Sequence, residues 1–108
     1  MPKKAVWLSY DLGVRGDYEG MYTWLDDLDA KECGDRVAFL NYGYRKSLAE
    51  EMEEDIRASV ELGRRARIYI TFQDSKTKRL KGRFLVGKRK SPPWSGFSSR
   101  TTDDIEDF

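Results

Sequence analysis

Eight basic side chains fall within fifteen residues of the later part of the chain: Lys76, Lys78, Arg79, Lys81, Arg83, Lys88, Arg89 and Lys90. Phe84 is interleaved with them, and Trp94 and Phe97 follow. Lysine and arginine neutralise phosphates and release condensed counterions, an attraction indifferent to base sequence. Exposed rings add base stacking, worth ~1–3 kcal/mol each on single strands. Together they point to nucleic acid, single-stranded in preference, bound without catalysis. The same charges also suit a hairpin that must resist edge-to-edge pairing, or one that meets an acidic protein.

The acidic counterpart closes the sequence. Residues 101–108 (TTDDIEDF) hold Asp103, Asp104, Glu106 and Asp107 with no base, and end Ile105, Glu106, Asp107, Phe108. The formal charge of +1 is therefore a cancellation. Residues 1–63 carry 8 basic and 14 acidic side chains, whereas residues 64–100 carry 12 basic and 1 acidic. A flexible segment of charge −4 tethered beside a +11 region has a high effective concentration there and should touch it at low salt.

Catalytic groups are scarce. There is no His, so the commonest general base and zinc ligand is missing. Cys33 is the single cysteine, which excludes an internal disulfide and a multi-cysteine metal site. Gly13-x-x-Gly16 precedes a helix start, but Asp17 and Glu19 would repel phosphate there. Asp26, Asp27 and Asp29 read as a solvated helix face, as do Glu50, Glu51, Glu53, Glu54, Asp55 and Glu61.

Two resemblances bear on these residues. The tip Thr101–Phe108 resembles the acidic, phenylalanine-ended C-termini of bacterial and phage single-stranded-DNA-binding proteins. That resemblance implies a segment that occupies the basic site intramolecularly and docks partner proteins. Around Leu8-Ser9-Tyr10-Asp11, residues 5–40 are similar to the small CRISPR-associated integration proteins and VapD-type toxins. Those are ferredoxin-like homodimers, some of them metal-dependent nucleases. The resemblance implies a catalytic Asp11, with two facing copies holding Mg²⁺ or Mn²⁺ between hard oxygens. Capping the turn at Gly13 is the structural alternative for this aspartate.

The elements that must position these groups follow from periodicity. Ala5–Leu12 alternates, with Val6, Leu8, Tyr10 and Leu12 on one face and Trp7, Ser9 and Asp11 on the other. Asp17 can cap a helix whose stripe is Tyr18, Met21, Leu25 and Leu28, with Gly34 as its stop. Arg36–Tyr44 is the single strand expected between the two helices. Ser47 and Glu50 form a capping box for a second helix buried along Leu48, Met52, Ile56 and Val60 and ending at Gly63. Arg67–Phe72 and Leu80–Val86 form a hairpin, with Leu80, Phe84 and Val86 inward and Lys81, Arg83 and Leu85 outward. Ser91-Pro92-Pro93 ends regular structure, and Trp94–Phe97 is expected to fold back onto the domain.

The expected architecture is α+β: a two-layer α/β sandwich with a four-stranded, largely antiparallel sheet and two helices on one face. It is ferredoxin-like or a βαβαββ variant. Residues 1–97 form one α/β domain, and residues 98–108 form a flexible acidic tail. The open sheet face then presents Trp7, Arg67, Tyr69, Lys81 and Arg83 to nucleic acid. No cofactor is expected outside the nuclease alternative. A third class, a protein-interaction or inhibitor domain, would use the Glu-rich helix or the tail on another protein's basic site. With no apolar run near ~20 residues and no signal-peptide pattern at Met1–Lys4, no membrane partner and a cytoplasmic location are expected.

Overall fold

Strict alternation makes the first strand the spine of the sheet. The computed structural model describes residues 2–98. In β1 (Lys3–Asp11), Val6 and Leu8 are fully buried and Tyr10 nearly so, while Trp7 between them is 45% exposed. Both edges of β1 are paired, antiparallel to β3 (Val37–Gly43) and to β4 (Arg67–Gln73). Two further strands, β2 (Lys31–Gly34) and β5 (Leu80–Val86), complete a five-stranded antiparallel sheet of order β2-β3-β1-β4-β5.

The helices α1 (Tyr18–Asp27) and α2 (Leu48–Ser59) cover one face. Met21, Trp24 and Leu25 from α1 join Leu48, Ala49, Met52 and Ile56 from α2 in a single core with Val6, Leu8, Leu40, Ile68 and Ile70. A half-buried carboxylate ties three elements together. Asp55 Oδ2 on α2 accepts a hydrogen bond from Trp24 Nε1 on α1 and another from the Tyr42 hydroxyl on β3, each at 3.1 Å. Burial first, and the Asp55 charge second, push the Tyr42 hydroxyl's pKa far up. Asp55 therefore belongs to the packing and not to the solvated face expected for it.

The caps also cross between elements. The Asp17 carboxylate accepts from Gly20 N–H at the start of α1 and from Glu61 N–H just past α2, so one side chain pins two helix ends. Ser47 accepts from Glu50 N–H as the capping box requires, but the return bonds come from Glu51. The Glu51 carboxylate accepts from the N–H groups of Arg45, Lys46 and Ser47 at 2.6–2.9 Å. These amide donors hold its pKa, like that of Asp17, below the ordinary carboxylate value.

The expected architecture needs three corrections. The sheet has five strands and not four, because α1 ends at Asp27 and not at Gly34. Leu28 and Ala30 N–H groups bond back to the Leu25 carbonyl, Asp29 takes φ +55°, and Lys31–Gly34 then pairs with β3. All four residues of β2 are exposed, so no apolar alternation marks it; the free edge of β3 defines it. The second correction is a register shift between β4 and β5. Ile68 lies opposite Val86 but Tyr69 lies opposite Phe84, leaving Leu85 as the extra residue. Leu80 and Phe84 consequently share the open face, while Lys81 and Arg83 lie opposite Phe72 and Ile70 on the helix side. Leu85, expected outward, is buried. Finally, Trp94 and Phe97 close a local turn but stand 73% and 86% exposed, so they do not pack back onto the domain. Among the described residues, no helix is long and apolar enough to cross a membrane.

Candidate nucleic-acid interface

The sheet face opposite the helices is uncovered and carries its rings in paired rows. Directly opposed residues on antiparallel neighbours share a face. Phe39, Trp7, Thr71 and Gly82 therefore form one row, and Val37, Ser9, Tyr69 and Phe84 the next. Trp7 and Phe39 meet at 4.9 Å between ring centroids, and Tyr69 and Phe84 at 4.7 Å nearly edge to face. Gly82 is what lets Tyr69 lie down, because a Cβ at Gly82 would collide with the Tyr69 hydroxyl and ring. The Arg89 guanidinium sits over both rings of the second pair, 5.7 Å from Tyr69 and 5.5 Å from Phe84.

Positive charge flanks the rings at both ends. At the β4–β5 turn, Lys3 and Lys78 line a groove beside Trp7 and Leu80. That turn is built around Asp74, whose carboxylate accepts from the N–H groups of Lys76 and Thr77 and from the Thr77 hydroxyl, and pairs with Lys81 at 3.3 Å. The Thr77 amide above all holds the pKa of Asp74 down to about 2. At the far end, a cleft of about 420 Å³ is lined by Arg36, Arg67 and Arg89 together with Ser9, Tyr69 and Phe84.

The expected site residues separate into four groups. Trp7, Arg67, Tyr69 and Arg89 do come together around the open face. The contiguous basic run is split by the length of β5, roughly 20 Å at ~3.3 Å per residue. Lys76, Lys78 and Arg79 lie at the turn, while Lys88, Arg89 and Lys90 lie at the other end. Lys81 and Arg83 leave the open face because of the Leu85 bulge. The tail residues Asp103, Asp104, Ile105, Glu106, Asp107 and Phe108 lie outside the described residues. Sequence reasoning missed Phe39 and Arg36. Alternation along Val37–Gly43, which sets Phe39 between the inward Ala38 and Leu40, carries a signal for the first; Arg36 is brought in by a positive-φ turn (φ +61°) that carries no alternation signal.

Asp11 closes β1 as expected. Its Oδ1 accepts from Gly13 N–H at 3.1 Å and lies 3.5 Å from Arg36 Nη1, so it caps the turn and holds an arginine. Among the described residues, no three acidic or cysteine side chains gather in a way that could hold a metal ion. Cys33 is exposed on the edge strand. The arrangement offers cations and ring planes in reach of solvent; it suits binding of a polyanion with flat groups. No protein family, curated protein or solved structure matches this chain.

Proposed function

We propose that this protein is a non-enzymatic binding module that takes single-stranded nucleic acid on its open sheet face. The observation that carries the reading is the pair of ring couples on that face, Trp7–Phe39 and Tyr69–Phe84, with Arg89 over the second and basic groups at both ends. Bases stack on exposed rings whatever their identity, and flanking cations take the phosphates. A duplex hides its base faces, so it gains only the electrostatic part. The acidic segment 101–108 competes for the same cations or docks a protein partner.

Fluorescence anisotropy with labelled single- and double-stranded DNA and RNA tests this. Single strands should bind more tightly than duplexes, with log K falling against log salt by about 0.7 per phosphate contacted. Removing residues 101–108 should tighten low-salt binding. Unchanged affinity after truncation would remove the tail as competitor.

One observation favours a second reading. With α1 between β1 and β2, and α2 between β3 and β4, the order β2-β3-β1-β4 follows split β-α-β connectivity with β5 appended. This supports the ferredoxin-like fold and, with it, the likeness of residues 5–40 to metal-dependent nuclease dimers. In that case Asp11 from two copies acts on Mg²⁺ or Mn²⁺. Cation-stimulated cleavage lost in a folded Asp11→Ala variant is its expected signature; cleavage surviving in that variant removes Asp11.

A further inference from the structure

The end of the sheet where β1 runs out gathers arginines from four separate stretches of chain. The cleft lined by Arg36, Arg67 and Arg89 adjoins a second, lined by Arg15, Arg64, Arg65 and Lys90; the two share Asp11 and Arg36. Across both, cations outnumber carboxylates seven to three. The carboxylates are Asp11, already engaged by Gly13 and Arg36, together with Asp35 and Glu61. Arg67 is the informative member. It lies opposite Asp11 in register yet forms no ion pair among the described residues. Its Nε is buried and has no hydrogen-bond partner among them. Gly87, at φ +79°, packs over its stem so closely that a Cβ there would meet Arg67 Cγ at 2.8 Å. The buried Nε–H lacks an acceptor, and the rest of the guanidinium lines the cleft with no carboxylate among the described residues paired to it, an arrangement that suits an anionic oxygen.

We propose that this cleft is a phosphoryl-group seat. Arg67 and Arg36 donate to the phosphate oxygens, and the adjacent base stacks on the Tyr69–Phe84 couple beside Arg89. The seat fixes where a strand enters the open face and in which direction it runs. The occupant's identity rests on the single-strand reading above, but the seat itself is a statement about phosphate. Its source is either a terminal monoester or a backbone diester, which share the chemistry.

The test follows the Arg67 Nε–H resonance in ¹⁵N-edited NMR, assigned by its loss in Arg67→Lys, as inorganic phosphate and then single-stranded oligonucleotides are added. Phosphate should shift that resonance. Arg67→Lys keeps the charge but loses the forked donors, so it should weaken oligonucleotide binding about tenfold with the salt slope unchanged. Arg67→Gln should weaken binding and also lower the slope by about 0.7. Tighter binding of 5′-phosphorylated than of 5′-hydroxyl oligonucleotides identifies a terminal phosphate as the occupant; equal binding identifies the diester. A stationary resonance in phosphate overturns the seat; should Arg67→Lys not fold, loss of the same resonance in Arg67→Gln supplies the assignment. Strand binding indifferent to a folded Arg67→Lys overturns it as well while leaving the single-strand reading intact. A phosphate shift without strand binding does the reverse: the seat stands and the single-strand reading falls.

Discussion

Replacing Trp7 by alanine separates stacking from charge. Trp7 is 45% exposed, occupies the middle of the central strand and touches Phe39 at 4.9 Å, so its outward face is available to a base. Stacking on such a ring contributes ~1–3 kcal/mol, which corresponds to a rise in Kd of roughly 5- to 150-fold. No charge is removed, so the salt slope should stay as in the wild type. The fold should tolerate the change, because the loss is one ring contact of ~0.5–1.5 kcal/mol plus part of a half-exposed side chain. Trp7→Phe keeps a ring plane and should recover most of the affinity. The assay is anisotropy of a labelled single-stranded oligonucleotide across several salt concentrations, with urea unfolding as the check on folding. A folded Trp7→Ala variant that binds within twofold of the wild type would refute base stacking at this position. A changed salt slope would show instead that Trp7 acts by placing Lys3 and Lys78, its neighbours in the groove.

Two further expectations concern what holds the face in place. Asp55→Ala strands the buried Trp24 Nε1–H, leaves the Tyr42 hydroxyl only its longer 3.4 Å bond to the Glu51 carbonyl, and should cost about 1–3 kcal/mol in urea unfolding. Tyr42→Phe added to Asp55→Ala should cost much less than it does alone; additive losses would mean the three groups do not act as a unit. Acid should weaken the protein through Asp74, Asp17 and Glu51, whose pKa values all lie below their ordinary values. Depressed carboxylates contribute stability above their unfolded pKa, 3.8 for an aspartate, and lose it as pH falls through the folded value, about 2 for Asp74. The urea midpoint should therefore be level down to about pH 5 and then drop as pH falls below about 4. Asp17→Asn with Glu51→Gln should flatten that drop, and an equally steep drop in the double variant would contradict the assignment.

The sequence revealed most where a side chain's period matched its environment. β1, β4, α2 and the start of α1 follow from alternation or from a stripe at three- and four-residue spacing, because each has one covered face, and β3 follows from its aromatic and β-branched residues. β2 has no covered side chain, so Lys31-Glu32-Cys33-Gly34 carries no sign of a strand, and only the open edge of β3 makes it one. The facing of β5 failed for a different reason. Alternation assumes an unbroken register, and one extra residue at Leu85 exchanged Phe84 for Arg83 on the open face. The candidate site shows the same division. Trp7 and Tyr69 could be placed from their own strands. The arginine cleft could not, since Arg36, Arg67 and Arg89 come from separate segments, whereas the basic run that looked like one patch is divided between two ends of the sheet. Asp55 shows that a charged helix face need not be all solvent: only the fold discloses the indole and phenol that reach it.

Whether a single strand lies on the uncovered sheet face is read by mapping amide and indole shifts while a single-stranded oligonucleotide is titrated in. The Trp7 indole N–H and the amides of Phe39, Tyr69, Thr71 and Phe84 should move together, with α2 unaffected. Shifts confined to α1 and α2, or no shifts at all at low salt, would contradict it.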